Sequence, residues 1–326
     1  MKKKICFIAT GGTIASRDMG SGLLPGMDAG QLLAAVPQLG EICRFEWVQL
    51  LQLDSSNLQP EHWRQIAEAI LARCGIYDGF VISHGTDTMA YTGAALYYML
   101  RNIPKPVVLT GSQLPMDQPG TDAAENLLTA FQAAASGRGG VYLAFGGHVF
   151  WGHTAKKLYT RSFRAFYSIN GPEAGCVDSR TGQIVWQCRE EQAGTLVPRL
   201  SLDDRVAVLK LVPGTSPELL RLLTDAGYRG IILEAFGAGG VPSDESSRSL
   251  LPMVDYAVSR GVILVCSTQC LYEGVHLESY EVGVRAMEHG VLSGGAATLE
   301  ALTARLMLAL GEAGEAEAAK RIFINQ

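Results

Sequence analysis

Short apolar runs alternate with longer stretches of helical period along the first half of the chain. The runs at 4–9, 44–53, 79–83, 106–110 and 140–145 have the length and bounds of β-strands. Between them, Trp63, Ile66, Ala67, Ile70 and Leu71 fall at i, i+3, i+4, i+7 and i+8, which is one face of a helix. Pro60 suits the first turn of that helix. Residues 88–100 and 123–135 also carry a helical pattern. Alternation of this kind predicts a mostly parallel sheet with helices on both faces.

The pattern breaks between 186 and 204. Gln187-Cys188-Arg189-Glu190-Glu191-Gln192 is polar, and a loose segment with Pro198 follows. The α/β rhythm then resumes, with strands predicted at 206–212, 230–235 and 261–266 and helices at 217–226, 246–259 and 298–311. A chain of 326 residues favours two domains. The expected architecture is α/β with two α/β domains. The larger, N-terminal one (1–188) is a doubly wound, mostly parallel, flavodoxin-like sheet. A linker (189–205) leads to a smaller Rossmann-like C-terminal domain (206–326).

Composition narrows the function. The net charge of -5 offers no basic footprint for nucleic acid or an anionic membrane. No apolar run approaches the roughly 20 residues that span a bilayer. Lys2-Lys3-Lys4 resembles the start of a signal peptide, but the apolar stretch behind it is short and runs into Gly11-Gly12. It reads instead as the first strand of a cytoplasmic protein. The seven cysteines (Cys6, Cys43, Cys74, Cys176, Cys188, Cys266, Cys270) are scattered, with no CxxC. That pattern predicts free thiols in a reducing compartment and no structural zinc.

The candidate chemistry lies just after the strands. Strand one ends in Thr10-Gly11-Gly12-Thr13, strand two in Asp54-Ser55-Ser56-Asn57, strand three in His84-Gly85-Thr86-Asp87 and strand four in Gly111-Ser112-Gln113; beyond strand five come His153, Lys156 and Lys157. Ligands of open α/β sheets bind outside the carboxyl ends of the strands. Small hydroxyls, a carboxylate and a lysine on one rim suit attack by an alcohol on a carbonyl. Threonine needs an adjacent base for this, and a lysine is the candidate once it is neutral. Burial favours the neutral amine, and a nearby aspartate opposes it. His84 reads as a backbone brace. Other readings of the same residues stand at this point. Thr10-Gly11-Gly12-Thr13 also suits a tight turn, although it matches neither GxGxxG nor GxxxxGK[ST]. Thr86-Asp87 and Ser55-Ser56-Asn57 also suit helix caps, and Lys156 and Lys157 suit solvated surface.

Taken together, these motifs identify a family. Thr10-Gly11-Gly12-Thr13-Ile14-Ala15, Asp54-Ser55-Ser56-Asn57, His84-Gly85-Thr86-Asp87-Thr88-Met89-Ala90-Tyr91-Thr92, Thr110-Gly111-Ser112-Gln113 and Ser267-Thr268-Gln269-Cys270 resemble the bacterial-type L-asparaginases, particularly their cytoplasmic type I-like branch. The likeness runs over nearly the whole chain. It implies hydrolysis of the side-chain amide of L-asparagine to aspartate and ammonia through a threonyl acyl-enzyme. By this resemblance Thr13 is the nucleophile and Thr86 the second catalytic threonine. Asp87 holds the substrate ammonium and joins the proton relay. Lys157 is the relay lysine, six residues before Phe163, with Lys156 as the competing choice. Asp54, Ser55 and Ser56 match the segment that grips the α-carboxylate, and Ser112 matches the wall near the amide. The family works without metal or organic cofactor, as homodimers or homotetramers on a small-molecule substrate. A regulatory asparagine site beside Thr268 is a further family feature.

One position departs from the pattern. Many relatives carry a tyrosine in the flap after the nucleophile, where this chain has Leu23, within Gly22-Leu23-Leu24-Pro25; Gly20 and Gly22 still fit a mobile lid. Two other functions compete. One is a mixed glutaminase-asparaginase or an amidotransferase component; the latter usually carries an extra domain before the Gly-Gly motif, whereas about eight residues precede the end of the first strand here. The other is a non-catalytic amide-binding sensor, which joint retention of Thr13, Thr86, Asp87 and Lys157 argues against.

Overall fold

Five strands run parallel at the centre of the first unit of the computed structural model: β1 (Lys4–Gly11), β2 (Arg44–Leu53), β3 (Gly79–Ser83), β4 (Pro106–Thr110) and β5 (Gly140–Phe145). They pair in the order β2-β1-β3-β4-β5, which is the flavodoxin-like order. Every residue of β3, β4 and β5 is buried. A parallel sheet covered on both faces requires such continuous apolar strands. On one face Phe131, from the helix Ala123–Ala135, stacks on Phe7 at 6.0 Å between ring centres. On the other, Gly93 of the helix Met89–Met99 packs its backbone onto Leu143, so closely that a Cβ at residue 93 would lie 2.4 Å from the leucine Cδ1. The chain leaves β1 toward one side of the sheet and β3 toward the other. The crevice therefore opens between the carboxyl ends of β1 and β3.

The structure describes residues 1–18, 23–187, 194–244 and 246–325. It divides into two units, Met1–Leu200 and Ser201–Gln326. Gly20, Gly22, Cys188 and the early part of the expected linker lie outside the described residues. The backbone of Leu23–Pro25 pairs antiparallel with Ser16–Asp18. The six described cysteines are free. Burial pushes the thiols of Cys6 and Cys43 up to about 11 and that of Cys266 up to about 12, so they act as small apolar side chains.

The sheet is larger than the strand pattern predicts. Gly146 and Gly147, at φ of 58° and 75°, make a two-residue turn from β5 into β6 (His148–Trp151), which runs back antiparallel. A hairpin follows, β7 (Ala155–Lys157) against β8 (Phe166–Ser168). That hairpin is a sheet of its own; β9 (Gly175–Val177) and β10 (Ile184–Trp186) then join β6 in the antiparallel edge and bring the main sheet to eight strands.

In the second unit, β11 (Val206–Lys210), β12 (Gly230–Ala235), β13 (Ile263–Thr268) and β14 (Leu292–Ser293) pair in chain order and run parallel. The helices predicted there appear as Glu218–Asp225, Leu299–Glu312 and Leu251–Ser259, and Glu281–Glu288 and Ala316–Ile324 add two that the pattern does not predict. Leu251–Ser259 is shorter than the predicted 246–259, because Pro252 occupies its first turn and fixes the start there. Among the described residues no helix is long and apolar enough to cross a membrane.

Candidate active site

Two glycines bring the ends of β1, β2 and β3 against one another. The pairing of β1 with β2 shifts between Ala9 and Gly11, and Gly11 and Gly12 take φ of 109° and 89°. L-side chains rarely adopt such backbone. Space forbids them as well: a Cβ would lie 2.4 Å from the Leu53 carbonyl oxygen at residue 11, and 2.4 Å from the Gly85 amide nitrogen at residue 12. Gly85 in turn packs on Ser55, whose Oγ would lie 2.5 Å from a Cβ at residue 85. Three of the predicted strand-end segments thus meet, β1 against β2 and β3 through backbone and β3 against β2 through Ser55. Thr13 follows at once. It opens a single 3-10 turn, Thr13–Ala15, and stays half-buried while Ile14 and Ala15 enter the core.

The second cluster is made by side chains. Lys157 Nζ donates to Thr86 Oγ1 at 2.7 Å and pairs with Asp87 Oδ1 at 2.6 Å. Thr86 is buried, Asp87 exposed and Lys157 half-buried. Lys157 closes β7, where successive side chains point to opposite faces. Lys156 therefore faces away from this cluster. Thr86 and Asp87 do not cap a helix: Met89–Met99 begins with Thr88 at the cap position and no side-chain cap bond. Thr88 Oγ1 instead donates to the Ser55 carbonyl at 2.8 Å, tying the β3 loop to the β2 loop.

Ser55, Ser56 and Asn57 form a 3-10 turn, with Asp54 Oδ1 accepting from the Ser56 amide at 2.8 Å. Ser55 is buried, whereas Asp54 and Ser56 are exposed. The helix that starts at Pro60 is capped by Gln59 and His62, not by these serines. Ser112 is buried and its hydroxyl donates to the Leu114 carbonyl.

Sequence reasoning missed what holds Ser112 in place. Asp122, itself buried, accepts from the amides of Gln113 at 3.0 Å and Leu114 at 3.2 Å, and from Asn126 Nδ2 at 2.9 Å. Asn126 also donates to the Gly111 carbonyl at 2.9 Å. Gln113 Nε2 reaches the Ser162 carbonyl at 2.9 Å, in the loop beyond Lys157. An aspartate before a helix reads as its cap, and only the fold turns this one back onto the preceding loop. His84 is fully buried. Burial drives its pKa down to about 4, and the hydrogen bond to the Gly85 carbonyl opposes the shift; the imidazole is neutral near pH 7.

No group of three or more metal-ligating side chains occurs among the described residues. A groove of about 630 Å³ borders Gln38, Glu41, Leu128, Gln132, Gln183 and Trp186, and none of the strand-end segments lines it.

Comparison with known proteins agrees with the motifs. The family model "Asparaginase, N-terminal" matches residues 4–190, and "Glutaminase/Asparaginase C-terminal domain" matches 205–323. The solved thermostable L-asparaginase from Thermococcus kodakarensis is similar at 40% identity and a TM-score of 0.90, with 98% of this chain and 96% of that one covered. L-asparaginase I from Vibrio cholerae is similar at 32% identity and a TM-score of 0.87, covering 99% and 97%. A glutamyl-tRNA(Gln) amidotransferase component from Pyrococcus furiosus is 36% identical over 98% of this chain and 75% of that protein. The two family models together span nearly the whole sequence, and the chain belongs to the asparaginase family.

Proposed function

We propose that this protein hydrolyses the side-chain amide of L-asparagine to L-aspartate and ammonia through an ester on Thr13. The observation that carries this reading is the Lys157 ammonium bridging Thr86 Oγ1 and Asp87 Oδ1, on the loop whose Gly85 packs against Gly12. Thr86 and Asp87 directly follow Gly85, whose backbone packs against Gly12, the residue before Thr13; this supports pairing a proton carrier, a hydroxyl and a carboxylate with that threonine.

The steps follow from the charges. Asparagine brings an α-ammonium and an α-carboxylate. Asp87, exposed and anionic, takes the ammonium. The Ser55 and Ser56 hydroxyls take the carboxylate, on the turn that Asp54 Oδ1 holds through the Ser56 amide. The substrate cation then competes with Lys157 for the Asp87 carboxylate. The lysine, acting with Thr86, accepts the Thr13 proton as the alcohol adds to the amide carbon. The same proton leaves with ammonia when the tetrahedral intermediate collapses. Water repeats the sequence on the ester and frees aspartate. Backbone amides around Gly12 and Gly85 can approach the oxyanion closely because neither residue carries a Cβ.

The test is ammonia release from asparagine, glutamine and D-asparagine by the wild-type protein and by Thr13→Ala. The reading predicts turnover of L-asparagine that the variant loses almost entirely while its fold is kept. Full activity in Thr13→Ala rejects it. Glutamine is longer by one methylene, worth about 1–3 kcal/mol in a pocket, so the kcat/KM ratio of the two amides decides between an asparaginase and a mixed enzyme.

A further inference from the structure

The geometry points to a positioning role for His84: a buried chain, Trp63–Thr92–His84, pins the carbonyl of Gly85 and so fixes the peptide that delivers Thr86 and Asp87 to Lys157. The proposal rests on the reading of Thr86 and Asp87 given above.

Each link is a short polar contact in the core. Trp63 Nε1 donates to Thr92 Oγ1 at 3.1 Å. Thr92 Oγ1 lies 2.8 Å from His84 Nε2. His84 Nδ1 lies 2.7 Å from the Gly85 carbonyl oxygen. The roles in this chain are forced. A carbonyl only accepts, so Nδ1 carries the proton. Neutral imidazole has one N–H, so Nε2 accepts from the Thr92 hydroxyl, which is free to receive the indole N–H. Trp63 is nearly buried, and His84 and Thr92 fully so, which leaves no water to compete.

The pinned peptide sits where the strand ends meet. Gly12 packs on the preceding peptide, His84–Gly85, and Ser55 on the Gly85 α-carbon from which the pinned peptide starts. The next residue is Thr86, the acceptor of Lys157 Nζ. A trans peptide is planar, and its N–H points opposite to its C=O. Holding the Gly85 carbonyl toward the imidazole therefore turns the Thr86 amide away from it and fixes the start of the Thr86 side chain. The wrong tautomer, with the proton on Nε2, would set a lone pair against the carbonyl and release this peptide.

Two substitutions separate positioning from simple packing. His84→Asn keeps a donor at the place of Nδ1, and His84→Gln keeps a polar atom at the place of Nε2. The proposal expects kcat per folded molecule to fall less than fivefold in His84→Asn and fifty-fold or more in His84→Gln, with KM changing less than kcat. A role in packing alone predicts equal kcat in both, with only the melting temperatures lowered, and that result overturns the proposal. If neither variant folds, ¹⁵N chemical shifts of the wild-type His84 ring decide: a proton on Nδ1 near pH 7 supports the proposal, and a proton on Nε2 overturns it. The ring measurement needs no turnover, so a protein that releases no ammonia from asparagine overturns the functional reading and leaves the tautomer result to be judged separately.

Discussion

Lys157 Nζ stands 2.7 Å from Thr86 Oγ1 and 2.6 Å from Asp87 Oδ1, although some seventy residues of chain separate the lysine from both. A two-stranded hairpin beyond the parallel strands carries it there. Its neighbour Lys156 points to the other side of that hairpin. Lys157→Met removes the proton carrier and keeps most of the aliphatic stem. It is expected to lower kcat by about 10²–10⁴-fold, the usual worth of a positioned acid or base, with little change in melting temperature. Lys156→Met is expected to change kcat less than threefold. Steady-state kinetics on the two variants checks the assignment.

Gly12→Ala puts a methyl group 2.4 Å from the Gly85 amide nitrogen at a φ of 89°. The atoms it meets are backbone and cannot swing aside as a side chain would. The variant is expected to lose about 1–3 kcal/mol of stability and nearly all turnover, because relief of the clash separates Thr13 from the β3 loop. Thermal melts paired with an ammonia assay read both effects.

Asp122→Ala removes the carboxylate that receives the Gln113 and Leu114 amides. Each buried N–H left without a partner costs about 1–3 kcal/mol. The expected outcome is a loss of about 2–5 kcal/mol in denaturant unfolding and a raised KM, since the loop so released carries Ser112.

The pH dependence of stability follows from His84. Its pKa falls from 6.5 to about 4 on folding, chiefly through burial. Between those values the unfolded chain binds more protons than the folded one, so stability rises with pH across that window. The contribution is fully present above about pH 6.5 and is lost as the pH falls toward 4, at up to about 1.4 kcal/mol per unit. Chemical denaturation between pH 4 and 7 measures it. Replacing His84 by Asn is expected to flatten the slope.

The central parallel strands and the residues at their ends are legible in the sequence because a buried parallel strand is a continuous apolar run and a strand end is where that run stops. The antiparallel edge is not legible in the same way. β7 to β10 are three residues each, too short to show a period. The Gly146-Gly147 pair is the one local signal that the chain reverses there. Motif likeness points to Lys157 over Lys156; in the fold it is Lys157 that contacts Thr86 and Asp87, through the alternation of a strand too short to read from its pattern. Asp122, Asn126 and the Trp63–Thr92–His84 chain act through contacts between distant elements, which no local pattern encodes.

The claim most open to direct test is the ester on Thr13. Acid quenching of the enzyme during turnover of L-asparagine, followed by peptide mass spectrometry, shows which side chain carries the acyl group. The account predicts an aspartyl adduct on the peptide containing Thr13, absent in Thr13→Ala. An adduct on Thr86 instead, or rapid turnover by Thr13→Ala with no adduct at all, contradicts it.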